Sequence, residues 1–194
     1  MWNLPNSLTL LRIGLVPLLV VVLLTRIPGS LFWGLGIFLL AALTDLADGI
    51  IARRTRTVTV AGTLLDPIAD KLLMSAAFIS LVELDLAPAW MVVVIVGREF
   101  AVTGLRQVAQ TQGVVIAANW WGKAKTTAQI VAICAVIIAA QLERLDAVRD
   151  AVPRLHQAVP VVAHALLWVA LLLTLGSLIS YFGAFWQRVV RESP

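Results

Sequence analysis

Four aspartates, Asp45, Asp48, Asp66 and Asp70, lie in two neighbouring segments that are otherwise apolar enough to be buried in a membrane. The whole chain has only 11 acidic residues, so more than a third of them are concentrated here. An ionised carboxylate inside a bilayer is unfavourable, so such residues face a protein interior or a wet cavity and usually serve a function. The sequence therefore predicts a functional cluster of carboxylates.

The spacing of these aspartates favours two helices that meet at one site. A helical first segment places four residues on one face, with Arg53 beside them: Asp45, Asp48, Gly49 and Ala52. Asp66 and Asp70 are one turn apart at the start of the next helix. Pro67 suits a helix only in its first turn, so the third helix is expected to begin near Asp66. Two antiparallel helices joined by a basic turn would direct all four carboxylates to one spot.

Four oxygen donors without Cys or His nearby suit Mg²⁺ or Mn²⁺ rather than Zn²⁺. Their combined charge favours two ions. Without such ions, four carboxylates at this short distance would repel one another, and some of them would be protonated. Two divalent ions are a common device for displacement at phosphorus. Gly49 and Gly62 would let a bulky ligand approach the backbone. The simpler alternative, an ion pair of Asp45 or Asp48 with Arg53, accounts for only two of the charges.

The composition excludes an ordinary soluble domain. The 194 residues are 60% hydrophobic and 13% charged, with a mean hydropathy of +0.94. Residues 2–6 lack the basic lead of a cleavable signal, so the first apolar segment is expected to be a retained helix. A net charge of +4 raises the alternative of a nucleic-acid partner. The basic residues lie at helix ends, however, so membrane topology explains them and no nucleic-acid partner is expected.

Apolar segments of about 20 residues, the length that crosses a bilayer, recur along the chain. We expect an all-α integral membrane protein, a single domain over residues 1–194 with six transmembrane helices. The spans are predicted near Leu8–Thr25, Leu31–Arg53, Leu64–Leu84, Ala89–Gln110, Asn119–Gln141 and Val159–Phe185. Residues 2–7 are expected to form a short interfacial segment. Residues 143–157 are expected to form an amphipathic surface helix between the fifth and sixth spans.

Six spans place both termini on one side of the membrane. Eleven of the 15 Lys and Arg residues fall on that side, which makes it the cytoplasmic face. This bias by itself accounts for Arg54 and Arg56. The predicted location is therefore a membrane, with both termini and the aspartates at its cytoplasmic face.

The pattern D-x2-D-G-x2-A-R-x8-G-x3-D-x3-D, from Asp45 to Asp70, resembles the signature of the CDP-alcohol phosphatidyltransferase family at every position. The resemblance implies that an alcohol attacks the β-phosphorus of a CDP-linked lipid and that CMP leaves. It implies two metal ions on Asp45, Asp48, Asp66 and Asp70, with Asp70 as general base. The residues it implies for the CDP-lipid are Asn6, Thr9, Asp48, Gly49, Ala52, Arg53, Thr59 and Gly62.

The acceptor alcohol has to be inferred from residues outside that signature. Arg98 and Arg106 lie close to one face of the fourth span, and Lys123 and Lys125 begin the fifth. Cations at membrane depth on two helices favour a pocket for an anionic acceptor, such as glycerol 3-phosphate. Two alternatives stay open: Arg98 pairs only with Glu99, and the two lysines mark only the cytoplasmic side.

Three further segments are similar to the phosphatidylglycerophosphate synthase branch of the family: residues 3–12, 97–99 and 122–127. This likeness implies CDP-diacylglycerol and glycerol 3-phosphate as substrates. It also implies a homodimer in the lipid bilayer of the bacterial plasma (inner) membrane. Residues 143–157 are longer and more charged than is typical of the branch. The end of the chain is expected to lie far from the site.

Other functions are open alternatives. One is the same chemistry with phosphatidylglycerol, inositol phosphate or another alcohol as the acceptor, which an acceptor screen would separate. A divalent-cation transporter also uses intramembrane carboxylates, although no polar residues continue from the aspartates to the far side. A prenyl-transferring enzyme would need adjacent Asp pairs, which the chain lacks.

Overall fold

The computed structural model of the protein is a bundle of α-helices. It describes residues 4–25, 27–55, 60–111, 120–145 and 151–187, and the side chains of residues 4–6, 8, 45–55 and 60–67 lie outside that description. The described helices are α1 Leu4–Leu24, α2 Ser30–Thr55, α3 Val60–Glu83, α4 Ala89–Thr111, α5 Trp120–Glu143 and α6 Pro153–Phe185. These residues contain no strand, so the all-α prediction is confirmed for the described part of the chain.

Two helix boundaries near the aspartates differ from the prediction. α2 continues to Thr55, two residues beyond the predicted end at Arg53, so Arg54 belongs to the helix rather than to the turn after it. α3 begins at Val60, and Pro67 therefore lies inside the helix instead of in its first turn. A proline removes one backbone hydrogen bond, whereas a helix of 24 residues retains most of the others.

The last helix also begins earlier than predicted. α6 starts at Pro153 and runs for 33 residues, so residues 153–157 form its beginning and not part of a separate surface helix. Proline suits the first helical positions because the backbone N–H that it lacks has no partner there anyway. Residues 146–150 of the predicted amphipathic stretch lie outside the described residues.

The helices pack around one apolar core. α1 contacts α2 and α3, α5 packs most extensively on α6, and α4 contacts α6. Contacts of α5 with α2 and of α3 with α4 join the two groups of three helices. Buried side chains from several helices form one cluster, which includes Phe38, Phe78, Met91, Ile133 and Leu167. This shared core sets the positions of the polar side chains at the helix ends.

Two of the described helices are long and apolar enough to cross a membrane. They are α5, with a mean hydropathy of 1.7, and α6, with 2.2. Shorter apolar segments occupy residues 9–24 of α1 and 30–44 of α2. Large apolar side chains are also exposed on the outside of the bundle, among them Trp33, Val93 and Ile179.

Candidate active site

Four helices line an open cavity of about 450 Å³ that has many polar side chains in its wall. α3 contributes Asp70 to its wall, α4 the segment around Arg98, α5 its first turns and α6 its last turns. The cavity is lined by Asp70, Lys71, Arg98, Glu99, Val102, Thr103, Arg106, Gly122, Lys123, Lys125, Thr126, Thr127, Ser177 and Tyr181. The structure therefore brings the predicted base together with every cation predicted for the acceptor.

The cavity has a positive electrostatic character. Among the described residues that line it, five are basic and two are acidic, an excess of three formal positive charges. Low-dielectric walls around such a cavity strengthen its attraction for anions. The cavity therefore suits a small ligand with a negatively charged group.

One carboxylate joins two of the cations. Glu99 Oε1 accepts a hydrogen bond from Arg98 Nη1 at 3.2 Å and another from Lys125 Nζ. The side chains of Arg98 and Lys125 are only 7% and 6% exposed, and that of Glu99 is 16% exposed. The ion pair of Arg98 with Glu99 that the sequence allowed is thus present. Glu99 does not neutralise both cations by itself, because it has one negative charge and they have two positive charges.

Arg98 has a third contact, with the last helix. Its Nη2 donates a hydrogen bond of 2.8 Å to Ser177 Oγ on α6. Its Nε is buried and has no hydrogen-bond partner among the described residues. Buried donors in native proteins usually have a partner, so this atom is a candidate donor to a ligand.

The outer cations are arranged differently. Arg106 is exposed, and its guanidinium lies over the ring of Tyr181, 5.8 Å from the centroid. Lys123 is also exposed at the first turn of α5. Arg98 and Lys125 therefore form the inner part of the cavity, and Arg106 and Lys123 form its mouth.

α6 contributes site residues that were not predicted from the sequence. The end of the chain was expected to lie far from the site, but Ser177 and Tyr181 both line the cavity, so this expectation is wrong. The packing of α6 on α4 and α5 brings them there. The sequence contains a signal for this: Thr174, Ser177 and Tyr181 repeat at helical spacing on one face of an otherwise apolar helix.

The aspartates lie in the helix halves nearest the connection between α2 and α3. Asp45 and Asp48 are in the second half of α2, and Asp66 and Asp70 are in the first half of α3. Asp70 is half-buried and lines the cavity, and the other three side chains lie outside the described ones. Among the described residues, no group of three or more metal-ligating side chains occurs. The placement on two contacting helices, with oxygen donors only, fits a site for hard divalent ions.

The residues predicted for the CDP-lipid are only partly described. Thr9 of α1 is fully buried. So is Arg12, whose Nε donates to the carbonyl oxygen of Ala41 on α2 at 3.4 Å, which ties α1 to the helix that bears Asp45. The side-chain surroundings of the other predicted residues are not among those that the structure describes. These residues are Asn6, Asp48, Gly49, Ala52, Arg53, Thr59 and Gly62.

The sequence matches a known protein family along most of its length. The family model of the CDP-alcohol phosphatidyltransferases matches residues 2–176. The chain therefore belongs to the CDP-alcohol phosphatidyltransferase family, and it is a transferase.

Similar proteins occur in several bacteria. A CDP-diacylglycerol–glycerol-3-phosphate 3-phosphatidyltransferase of Bacillus subtilis is 44% identical, with 97% of this chain and 98% of that protein covered. A protein of the same name from Haemophilus influenzae is 32% identical over 93% of this chain and 91% of its own length. A probable phosphatidylglycerophosphate synthase of Mycobacterium tuberculosis is 42% identical over 68% of this chain and 64% of its own.

Proposed function

We propose that the protein transfers the phosphatidyl group of CDP-diacylglycerol to glycerol 3-phosphate, giving phosphatidylglycerophosphate and CMP. The names of its relatives support this reaction, and so does the chemistry of the cavity. The observation that carries the proposal is the cluster of Arg98, Lys125, Arg106 and Lys123 in one cavity with Asp70. A neutral acceptor such as glycerol or serine would not need this excess of positive charge.

The inner cations are proposed to bind the phosphate of the acceptor. Arg98 and Lys125 are held within reach of one another by Glu99. A phosphate beside them would replace part of the hydration that both lose on burial, and charge-assisted hydrogen bonds to it are strong. Arg106 and Lys123 at the mouth would attract the anion and contact it as it enters.

The four aspartates are proposed to hold two divalent ions, Mg²⁺ or Mn²⁺. Asp45, Asp48, Asp66 and Asp70 would be the ligands. When bound, the ions neutralise the diphosphate of the CDP-lipid and the charge that builds on the leaving oxygen. Asp48, Gly49, Ala52, Arg53, Thr59 and Gly62 are proposed to contact the cytidine diphosphate, with Asn6 and Thr9 of α1.

Asp70 is proposed to be the general base. A hydroxyl oxygen of the acceptor forms a bond to the β-phosphorus of the CDP-lipid, and the bond from that phosphorus to the oxygen of CMP breaks. The hydroxyl proton passes to Asp70 as the new bond forms. Asp70 suits this role because it lines the same cavity as the cations proposed for the acceptor.

The reaction is proposed to take place at the cytoplasmic side of the bacterial plasma membrane, with all six helices as spans. Soluble glycerol 3-phosphate and CMP are then exchanged with the cytoplasm, and the acyl chains lie between helices in the bilayer. The exposed apolar side chains on the outside of the bundle support this arrangement. A homodimer is proposed from the family resemblance alone.

An acceptor screen tests the proposed function. Purified protein in mixed micelles would receive CDP-diacylglycerol, a divalent ion and one alcohol at a time, and CMP release would be measured. We expect glycerol 3-phosphate to support release at least about tenfold better than glycerol or serine, since the cationic pocket favours a small phosphate ester. Release with inositol phosphate or phosphatidylglycerol above that with glycerol 3-phosphate would make the better alcohol the acceptor. Equal release with glycerol would contradict the acceptor assignment. Metal flux in proteoliposomes without CDP-lipid would favour the transporter instead.

A further inference from the structure

One face of α6 has a row of buried polar side chains. Thr174, Ser177 and Tyr181 are 0%, 5% and 8% exposed, and they follow one another at helical spacing in a helix with a mean hydropathy of 2.2. Polar groups inside an apolar helix are unfavourable unless they have partners. Each of the three faces a polar or charged group of a neighbouring helix.

The partners change along the row. Thr174 Oγ1 accepts a 3.1 Å hydrogen bond from Gln129 Nε2 of α5, which lies outside the cavity. Ser177 Oγ accepts the 2.8 Å bond from Arg98 Nη2. Tyr181 presents its ring to the guanidinium of Arg106. The row thus begins as a link between α5 and α6 and continues as a support for the two arginines of α4.

We infer that Ser177 and Tyr181 are positioning residues that orient Arg98 and Arg106 toward the phosphate of the acceptor. This inference rests on the proposed function, and it adds the last helix to the elements that set acceptor affinity.

The geometry explains how α6 acts on Arg98. Glu99 binds Nη1 and Ser177 binds Nη2, from two different helices. A planar guanidinium fixed at both of these atoms has a defined plane, which also fixes the direction of its Nε–H. That Nε is the buried donor without a partner among the described residues. Without Ser177, the guanidinium keeps its charge but can rotate about the contact with Glu99.

Tyr181 acts on Arg106 through its ring. Arg106 is exposed and has a long side chain, so in isolation it would sample many conformations. A guanidinium over an aromatic face is attracted to it, with a stronger effect where water is excluded. The ring therefore limits Arg106 to conformations near the mouth of the cavity. The Tyr181 hydroxyl is buried without a hydrogen-bond partner among the described residues and is not needed for this role.

The test compares steady-state kinetics of full-length variants for both substrates. Ser177→Ala is expected to raise the KM for glycerol 3-phosphate by about tenfold or more, the value of a hydrogen bond to a charged group. Tyr181→Leu is expected to raise it about two- to fivefold, as for an exposed cation–π contact. Tyr181→Phe keeps the ring, so it should recover most of that loss. The KM for CDP-diacylglycerol should change by less than about twofold in all three.

Thr174→Val is the matched control. It removes a buried hydrogen bond from the same face of α6, and it should lower the melting temperature without a selective effect on the KM for glycerol 3-phosphate. Wild-type acceptor KM in both Ser177→Ala and Tyr181→Leu would overturn the inference, and so would equal changes for both substrates. Failure of Tyr181→Phe to recover the loss would overturn the role of the ring. Absence of glycerol 3-phosphate-dependent CMP release by the wild-type protein would instead overturn the proposed function.

Discussion

Arg98 combines several interactions in the cavity. It is buried, it pairs with Glu99 on its own helix, and it donates to Ser177 on another. A buried cation is stable only when hydrogen bonds and an opposite charge compensate its lost hydration. Its neighbour Lys125 relies on the same carboxylate. At the level of single residues, Arg98 and Lys125 are therefore paired with Glu99 but not fully neutralised by it, and the carboxyl group of Asp70 lines the same cavity.

The proposed base can be tested with Asp70→Asn. The amide has the same size but cannot take the hydroxyl proton, so we expect kcat to fall by at least about 100-fold, the usual contribution of a general base. CMP release measures the loss, and the melting temperature in detergent checks that the fold is intact.

Asp85→Asn is a suitable control for that variant. Asp85 lies in the turn between α3 and α4, outside the residues that line the site cavity, with a φ of 58° that asparagine tolerates well. It should retain wild-type turnover. Near-normal turnover in Asp70→Asn would reject Asp70 as the base.

The acceptor pocket can be tested at one inner and one outer cation. Arg98→Ala and Lys123→Ala should raise the KM for glycerol 3-phosphate about tenfold or more, since each removes a charged hydrogen-bond donor. The KM for CDP-diacylglycerol should change far less. Lys123 is exposed, so its variant should fold even where the buried arginine is essential for stability.

Arg144→Ala controls for the loss of a surface charge. Arg144 is exposed just beyond the end of α5, outside the residues that line the cavity. It should leave both KM values unchanged. Equal effects of Arg98→Ala and Lys123→Ala on the two substrates would remove both residues from the acceptor pocket.

At the level of the helices, α4, α5 and α6 form the acceptor side of the cavity and α3 brings Asp70 to it. Glu99 connects α4 to α5 through Lys125, and Ser177 connects α6 to α4 through Arg98. These contacts lie near the polar end of the bundle, whereas the apolar core holds the middle parts of the helices together. The packing of the helices at the cavity end of the bundle therefore depends on a few charged contacts.

Glu99→Gln should show this dependence. The variant removes the carboxylate that contacts both Arg98 and Lys125, and breaking a buried ion pair costs about 3–5 kcal/mol. We expect the melting temperature in detergent to fall by on the order of 5 °C or more.

Inorganic phosphate provides a specific check on the Glu99→Gln result. An anion that binds the two cations in the folded state stabilises that state by mass action. Added phosphate should therefore raise the melting temperature of Glu99→Gln more than that of the wild type. Wild-type stability in the variant, or equal stabilisation of both proteins by phosphate, would show that Glu99 is not their essential counter-ion.

In the molecule as a whole, the site lies at one end of the bundle. The cavity is built from the first half of α3, the middle and second half of α4, the start of α5 and the end of α6. Helices that alternate in direction bring these halves to the same end. The turns after α1 and α3 belong to the opposite end, and the excess of basic residues at the cavity end predicts that it faces the cytoplasm.

Cysteine accessibility tests this orientation. Cys134 is the chain's one cysteine, so Cys134→Ala provides a background for single cysteines. A membrane-impermeant thiol reagent should label Ile27→Cys, in the turn after α1, in intact cells. It should label Gln110→Cys, exposed at the end of α4, only after the membrane is permeabilised. The reverse pattern would invert the topology, and labelling of both in intact cells would reject six spans.

The helical class, the apolar character and the family of this protein could all be predicted from the sequence. Helical periodicity and the spacing of Asp45, Asp48, Asp66 and Asp70 are local properties, so they can be read without knowing how helices pack. The sequence also predicted that a set of cations on the fourth and fifth helices acts together, because charged side chains in apolar segments usually face the interior of a bundle or a wet cavity. That set is Arg98, Arg106, Lys123 and Lys125.

Only the packing of the helices shows that Arg98 and Lys125 lie inside the cavity and that Arg106 and Lys123 lie at its mouth. It also shows that Glu99 contacts both inner cations. It was also needed to show that α6 takes part. Ser177 and Tyr181 are far from Arg98 and Arg106 in sequence, and no periodicity within one helix reports which neighbour its polar face contacts. That contact depends on packing between helices, which is set by the shape of the shared core.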